Sequence, residues 1–320
     1  GEYDLLKQVD VSKQYTELKA VLDDIRALNI QGATNVAIAG VEAFAHYAYD
    51  VSTLFSDKTA FFHHLDERSE EIKSVRITEP ALQNGLTYVK KQISEFGIEA
   101  AKTASVQYKS LLESAKKMVG KIGSEKIMPN ATIMTHCHSS FVDEVFAQAK
   151  AMGKSFRVVN TETRPLYQGR KTVKKLLQHD IEVIHVVDSA MWWAMQKFDV
   201  DLIIIGADAV TVEGVTLNKI GSRLLALSSR ELHVPLYVCT SLLKYNPATS
   251  LGRLSEIEMR ASEEVWSESP KGFKIYNPAF ETISRHFISA YITEFGIVPP
   301  QLVSHFFETR YINDLFTKKK

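Results

Sequence analysis

The chain has 320 residues, of which 45% are hydrophobic and 24% charged; this is ordinary globular usage and excludes a disordered or low-complexity polymer. Its 38 Lys+Arg balance 38 Asp+Glu, which excludes a bulk binder of nucleic acid but leaves room for a local phosphate pocket. A chain of this length is expected to form two domains or one large α/β domain, with enough core to need no disulfide or metal staple.

The opening residues Gly1-Glu2-Tyr3-Asp4 are acidic, and no basic-then-apolar leader pattern follows them. No apolar run approaches the ~18 residues of a membrane span. Two cysteines, Cys137 and Cys239, suit a reducing compartment rather than a disulfide framework. The expectation is a cytoplasmic protein with neither membrane nor nucleic acid as partner. Residues 1–127 carry apolar positions at helical spacing, as in Leu18, Val21, Leu22, Ile25 and Leu28, and again in Val89, Ile93 and Phe96. The polar stretch Ser52–Val75 reads as surface helix with breaks, so this half is predicted to be an all-helical domain. Ser124–Asn130 is a polar turn with Pro129-Asn130 as breaker, and it places the boundary.

From there the texture changes to short apolar runs: Thr132–Met134, Phe156–Val159, Val183–Val187, Leu202–Ile205 and Leu236–Val238. Helical patterns lie between them at Phe141–Met152, Arg170–His179, Ala190–Phe198 and Lys219–Leu232. Such alternation predicts an α/β fold, a doubly wound parallel sheet over residues 128–320. Open parallel sheets bind ligands at the carboxyl ends of their strands. The residues after the five runs are Thr135–Ser140, Thr161–Pro165, Asp188–Ala190, Gly206–Asp208, and Thr240-Ser241 followed by Lys244. All five ends carry polar or ionisable groups, and this convergence reads as an active site.

Cys137 lies between two histidines and just before a helix start at Ser139-Ser140. Helix amides and an imidazolium would lower its pKa, and the same amides would cradle a phosphate. The plainer alternative is a small buried hydrophobe, the reading given to Cys239. His136 and His138 supply only two ligands, so no metal site is expected. A carboxyl at a buried strand end, Asp208, is desolvated and suits a general acid, although a capping role is the simpler alternative. Asn218-Lys219 would open a helix whose dipole opposes a cation unless an anion neutralises it, which hints at phosphate on Lys219. Arg164, before Pro165, could fork onto a phosphate. Neither GxGxxG nor a P-loop string occurs, and no cofactor is expected.

The strings Thr-His-Cys-His-Ser (135–139), Thr-Glu-Thr-Arg-Pro (161–165) with Gln168-Gly169, Gly-Ala-Asp (206–208) and Asn-Lys-Ile-Gly (218–221) occur in this order. They are followed by Lys244–Pro247, Glu256–Arg260, Asn277–Phe280 and Thr293–Ile297. Together they resemble the superfamily of initiation factor 2B regulatory subunits and sugar-1-phosphate isomerases, and within it the archaeal-type ribose 1,5-bisphosphate isomerases. The likeness is dense from 128 to 300 and thin before that. It implies a helical N-terminal domain, a Rossmann-like catalytic domain, and conversion of α-D-ribose 1,5-bisphosphate to D-ribulose 1,5-bisphosphate in AMP salvage. It also implies Cys137 as proton acceptor and Asp208 as proton donor. Substrate contacts would fall on Gln31, Gly32, Ala33, Arg76, Ser139, Asn218, Lys219 and Lys244. A homodimer or hexamer, and AMP as activator in some members, belong to the same implication. Regulatory subunits generally lack the Cys/Asp pair that this chain retains, and methylthioribose-1-phosphate isomerases set their Cys in a different string.

Three departures stand out. Gln31-Gly32-Ala33 replaces the family's Arg-Gly-Ala, exchanging a charge-assisted fork for a neutral amide at a cost of roughly 1–3 kcal/mol in phosphate binding. Glu281-Thr282-Ile283-Ser284 follows Phe280 where the family has Asp-x-Thr-Pro. Met191-Trp192-Trp193 replaces smaller residues and could reshape a pocket.

Overall fold

The computed structural model describes residues 9–248 and 258–316; Gly1–Asp4, Glu256 and Ile257 of the strings above lie outside them. The chain divides into two compact units, residues 1–111 with 311–320, and residues 112–310.

The first unit is helical: α1 (Ser12–Arg26), α2 (Ala33–Val51), α3 (Lys58–Val75), α4 (Pro80–Phe96) and the first half of α5 (Ala100–Glu125). The periodic positions Leu18, Leu22 and Ile25 of α1 are buried. Leu28, which continued that pattern, lies beyond the helix end in the left-handed region, because α1 stops at Arg26. The polar stretch breaks as expected: a short 3-10 turn, Ser52–Leu54, is followed by Asp57, whose carboxylate caps α3 by accepting from the amides of Thr59 and Ala60. Pro80 at the first position of α4 satisfies its fixed φ without losing an internal bond.

The second unit alternates strands and helices. β1 (Thr132–Thr135), α6 (Ser140–Ala151), β2 (Arg157–Thr161), α7 (Gln168–Gln178), β3 (Glu182–Val186), α8 (Met191–Lys197) and β4 (Leu202–Ile205) come first. Then follow β5 (Ala209–Val210), β6 (Thr216–Lys219), α9 (Ser222–Glu231), β7 (Leu236–Cys239), β8 (Phe280–Ile283), β9 (Ala290–Thr293), β10 (Gly296–Val298) and α10 (Val303–Phe307). The main sheet has the order β10-β9-β7-β4-β1-β2-β3, parallel throughout except for β10. Its central strands are buried on both faces, which is why they read as unbroken aliphatic runs. Ile133, Val158, Leu202 and Ile204 share one core with Phe141, Val145 and Phe146 of α6.

A second, antiparallel sheet, β5-β6-β8, branches off immediately after Asp208. Asn218 and Lys219, expected from the sequence at the start of a helix, are instead the end of β6, and α9 begins only at Ser222. The polar string Thr216–Lys219 has no apolar periodicity of its own. Its strand conformation comes from pairing with β5 and β8.

Candidate active site

The chain runs from β1 outward to β2 and β3, then returns past β1 to lay down β4 on its other side. Strand order reverses between β1 and β4, and the crevice beyond their carboxyl ends is the ligand site of such sheets. Cys137 leaves the end of β1, and Asp208 leaves the end of β4. The two residues that sequence alone singled out therefore emerge from neighbouring strands at the switch point. Gly206, between β4 and Asp208, makes the crevice narrow: a Cβ there would lie 2.5 Å from Ser139 Oγ. Ser139 is the N-cap of α6, its hydroxyl accepting from the Val142 amide at 3.4 Å.

The charges of Lys219, Asp208 and Asp188 all act on the Cys137 thiol. Burial dominates, however, and with the two carboxylates it pushes the thiol up to about 11 against the pull of Lys219 and the His138 amide. The imidazolium that the sequence suggested beside this thiol is absent, for the same reason. Burial holds His136 below its ordinary value and lowers His138 to about 4, so both are neutral at pH 7.

Their tautomers follow from their partners. His136 Nε2–H donates to the Ile220 carbonyl at 2.7 Å, leaving Nδ1 to accept from the Thr161 hydroxyl at 2.5 Å. The Thr172 hydroxyl donates to the Cys137 carbonyl at 2.7 Å and so accepts from His138 Nδ1–H at 3.0 Å. The two rings thus serve separate partners, with His136 tying β1 and β2 to the turn before α9. Gly221 in that turn has φ +100°, and a Cβ there would press on the His136 ring.

The remaining strand-end residues occupy the same rim. Lys244 is buried, with Nζ donating to the Ala207 carbonyl at 3.1 Å and lying 4.7 Å from the Phe141 ring centroid. Lys219 lies over the Phe280 ring at 4.7 Å. Asn218 Nδ2 donates to Ser222 Oγ at 3.0 Å. Glu281, where the family has Asp, keeps the carboxylate: its Oε2 accepts from the amides of Gly221 at 2.6 Å and Arg223 at 3.2 Å, neutralising the start of α9.

Arg164 is exposed, and its guanidinium donates to Tyr167 Oη, the Pro165 carbonyl and the Val265 carbonyl. Its fork is held on that loop. Trp192 and Trp193 are part-exposed on α8. Gln31, Gly32, Ala33 and Arg76 belong to the helical unit. Gln31 is exposed and Gly32 caps α2 with φ +84°, while the buried Arg76 ends α3.

A neutral, recessed thiol has a direct signature. Alkylation of Cys137 by iodoacetamide should rise about tenfold per pH unit from 7 to 10, because only the thiolate reacts. Cys239, fully buried and pushed further up by burial, should stay silent. Peptide mass spectrometry against pH measures both, and a plateau below pH 8 would show that the thiol is not held protonated.

Thr163, Asp188 and Thr172 are the residues this geometry adds. The sequence placed Thr163 and Asp188 at strand ends, but nothing in their own neighbourhood marked them as partners of Cys137.

The model of the initiation factor 2 subunit family matches residues 29–300. The chain is 35% identical over 288 residues to the ribose 1,5-bisphosphate isomerase of Methanocaldococcus jannaschii, covering 89% of this chain and 92% of that one. It is 33% identical over 292 residues to the ribose 1,5-bisphosphate isomerase of Archaeoglobus fulgidus, covering 89% and 91%. Among solved structures, the Pyrococcus horikoshii translation initiation factor eIF-2B superposes with a TM-score of 0.77 at 27% identity, over 88% of this chain and 97% of that one. With the switch-point fold, this extent of likeness is decisive: the chain belongs to the initiation factor 2 subunit family.

Proposed function

We propose that this protein is an aldose–ketose isomerase converting α-D-ribose 1,5-bisphosphate to D-ribulose 1,5-bisphosphate, with Cys137 as proton acceptor and Asp208 as proton donor. The observation that carries this reading is the placement of a thiol and a carboxyl on adjacent strand ends of a chain so similar to ribose 1,5-bisphosphate isomerases. In this reading residues 128–320 form the catalytic domain and residues 1–127 the helical one.

The chemistry fits the pair. The anomeric oxygen of the substrate is esterified, so the ring opens only by cleavage of the C1–ring oxygen bond, with a proton delivered to the departing ring oxygen by Asp208. The C2 proton passes to the Cys137 thiolate. The resulting C1–C2 enol takes a proton at C1 as its 2-hydroxyl gives one up, and the ketone forms with no net change in protons or electrons. The reaction starts from protonated Asp208 and thiolate Cys137, which holds one shared proton just as the carboxylate–thiol pair does. When Asp208 carries that proton, its charge no longer opposes the thiolate.

Ser139, Asn218, Lys219 and Lys244 would receive phosphate and sugar oxygens, the family resemblance implies substrate contacts for Gln31, Gly32, Ala33 and Arg76 as well, and AMP would act as an activator. Incubating the protein with ribose 1,5-bisphosphate under phosphorus NMR tests the reading. Ribulose 1,5-bisphosphate should appear, and methylthioribose 1-phosphate should be turned over far more slowly. The reverse order would assign the other isomerase activity, and no turnover of either would overturn the enzyme reading.

The proposed assembly is a homo-oligomer in the cytoplasm. Trp192 and Trp193 on α8, with Leu224 and Leu227 on the adjoining α9, present apolar surface of the kind that marks contact sites. Light scattering should give a dimer or hexamer mass; a strict monomer at tens of micromolar would sink this part.

A further inference from the structure

Three consecutive strand ends are joined by hydrogen bonds that converge on the Cys137 backbone. Cys137 has φ +68° and Thr163 φ +60°, a region that L side chains occupy only where the surroundings over-determine it. At the end of β2, Thr163 is fully buried, and its Oγ1 accepts from the Cys137 amide at 3.0 Å. On the other side of the same residue, the Thr172 hydroxyl donates to the Cys137 carbonyl at 2.7 Å. Thr163 is in turn fixed from the end of β3: its amide donates to Asp188 Oδ1 at 2.8 Å, and the Arg164 amide donates to Asp188 Oδ2 at 2.8 Å. One carboxylate thus spans two successive amides of the left-handed turn.

We propose that Thr163 and Asp188 are positioning residues for the isomerisation, a clamp that holds Cys137 in its left-handed conformation and so aims its Sγ at the substrate. The inference rests on Cys137 being the proton acceptor. Returning Cys137 to an extended φ would swing its Cα–Cβ bond and carry the sulfur away from the crevice between β1 and β4. Neither Thr163 nor Asp188 needs to touch the sugar phosphate to act in this way. Their effect therefore belongs on the proton-transfer step rather than on phosphate binding.

The test compares Thr163→Val, which keeps the shape and removes the acceptor, with Thr163→Ser, which restores it, and with Asp188→Asn, which removes one of two acceptor oxygens. kcat and KM for ribose 1,5-bisphosphate are measured alongside melting temperature. Thr163→Val and Asp188→Asn should lose about 10- to 100-fold in kcat, the scale of a misplacement of about 1 Å at a reacting group, with KM held within about threefold. Thr163→Ser should recover kcat to within about threefold of the parent. Parent-like kcat in Thr163→Val overturns the clamp, as does a loss shared equally between kcat and 1/KM that tracks melting temperature and is not rescued by serine. Should Thr163→Val not fold, Asp188→Asn decides, since it leaves the threonine hydroxyl in place and withdrawing its charge favours the Cys137 thiolate, so that a lost kcat reads the broken turn rather than the thiol's protonation. Cys137→Ser run in parallel separates the two readings. If it turns over normally, the proton-acceptor assignment falls and the clamp with it; if it is dead while Thr163→Val is unimpaired, only the clamp falls.

Discussion

Cys137→Ser is expected to lower kcat by about 10³-fold or more while leaving the α/β unit folded. The expected loss rests on the difference between a thiolate and a hydroxyl as proton acceptors near neutral pH, one that general-base catalysis amplifies. Survival of the fold follows from how the residue is held. The bonds that fix position 137 run from its amide to Thr163 and to its carbonyl from Thr172, and serine keeps both. The thiol of the free protein is held at about 11, and the acceptor is needed deprotonated. The productive form, however, carries the same one shared proton as the resting carboxylate–thiol pair, so kcat/KM, which reports the free enzyme, should hold level from about pH 7 to 10 and fall only as pH approaches the thiol's value of about 11. Phosphorus NMR rates from pH 6 to 10, with circular dichroism melts of both proteins, measure the whole prediction. Turnover by the serine variant within tenfold of the parent would remove Cys137 from its role, and a parent profile that rises about tenfold per pH unit from 7 to 10 would remove the shared-proton account of the pair.

The parts of this protein that were legible in its sequence are those that a single segment determines. β1, β4 and β7 are short aliphatic runs because they are buried on both faces of a parallel sheet, and their ends can be read off directly. Ser139 as the cap of α6 was legible too, since a small hydroxyl before an apolar helix meets a local need of the helix start. What escaped the sequence depends on other parts of the chain. Lys219 is on a strand because β5 and β8 flank it, and no local pattern distinguishes its string from a helix start. The left-handed backbone at Cys137 is held by Thr163 and Thr172, 26 and 35 positions away. Electrostatics misled for a related reason. Adjacency of His136 and His138 to the thiol suggested an imidazolium, whereas burial makes both rings neutral and raises the thiol. Arg164 reads as a phosphate fork by its residue type, but its donors are held by Tyr167 and by two carbonyls.

Asp208→Asn should cost about 10²- to 10⁴-fold in kcat, the usual range for removing a positioned proton donor, and it should leave a second mark on a different residue. The Asp208 charge is among the influences that raise the Cys137 thiol. A neutral amide of the same shape withdraws that influence, while Lys219 continues to pull the thiol down. The alkylation profile of Cys137 should accordingly move to lower pH in the variant, making the thiol more reactive toward iodoacetamide at pH 8 even as the enzyme becomes less active. Lost turnover together with a more reactive thiol is not what a damaged fold produces, because unfolding would expose the buried Cys239 to alkylation as well. Peptide mapping of the two cysteines at pH 8 therefore reads the result without ambiguity. Near-parent turnover in Asp208→Asn would remove the carboxyl from the chemistry. A Cys137 profile that does not move would mean the two groups are not electrostatically linked, and the shared-proton account of the pair would fall even if turnover were lost.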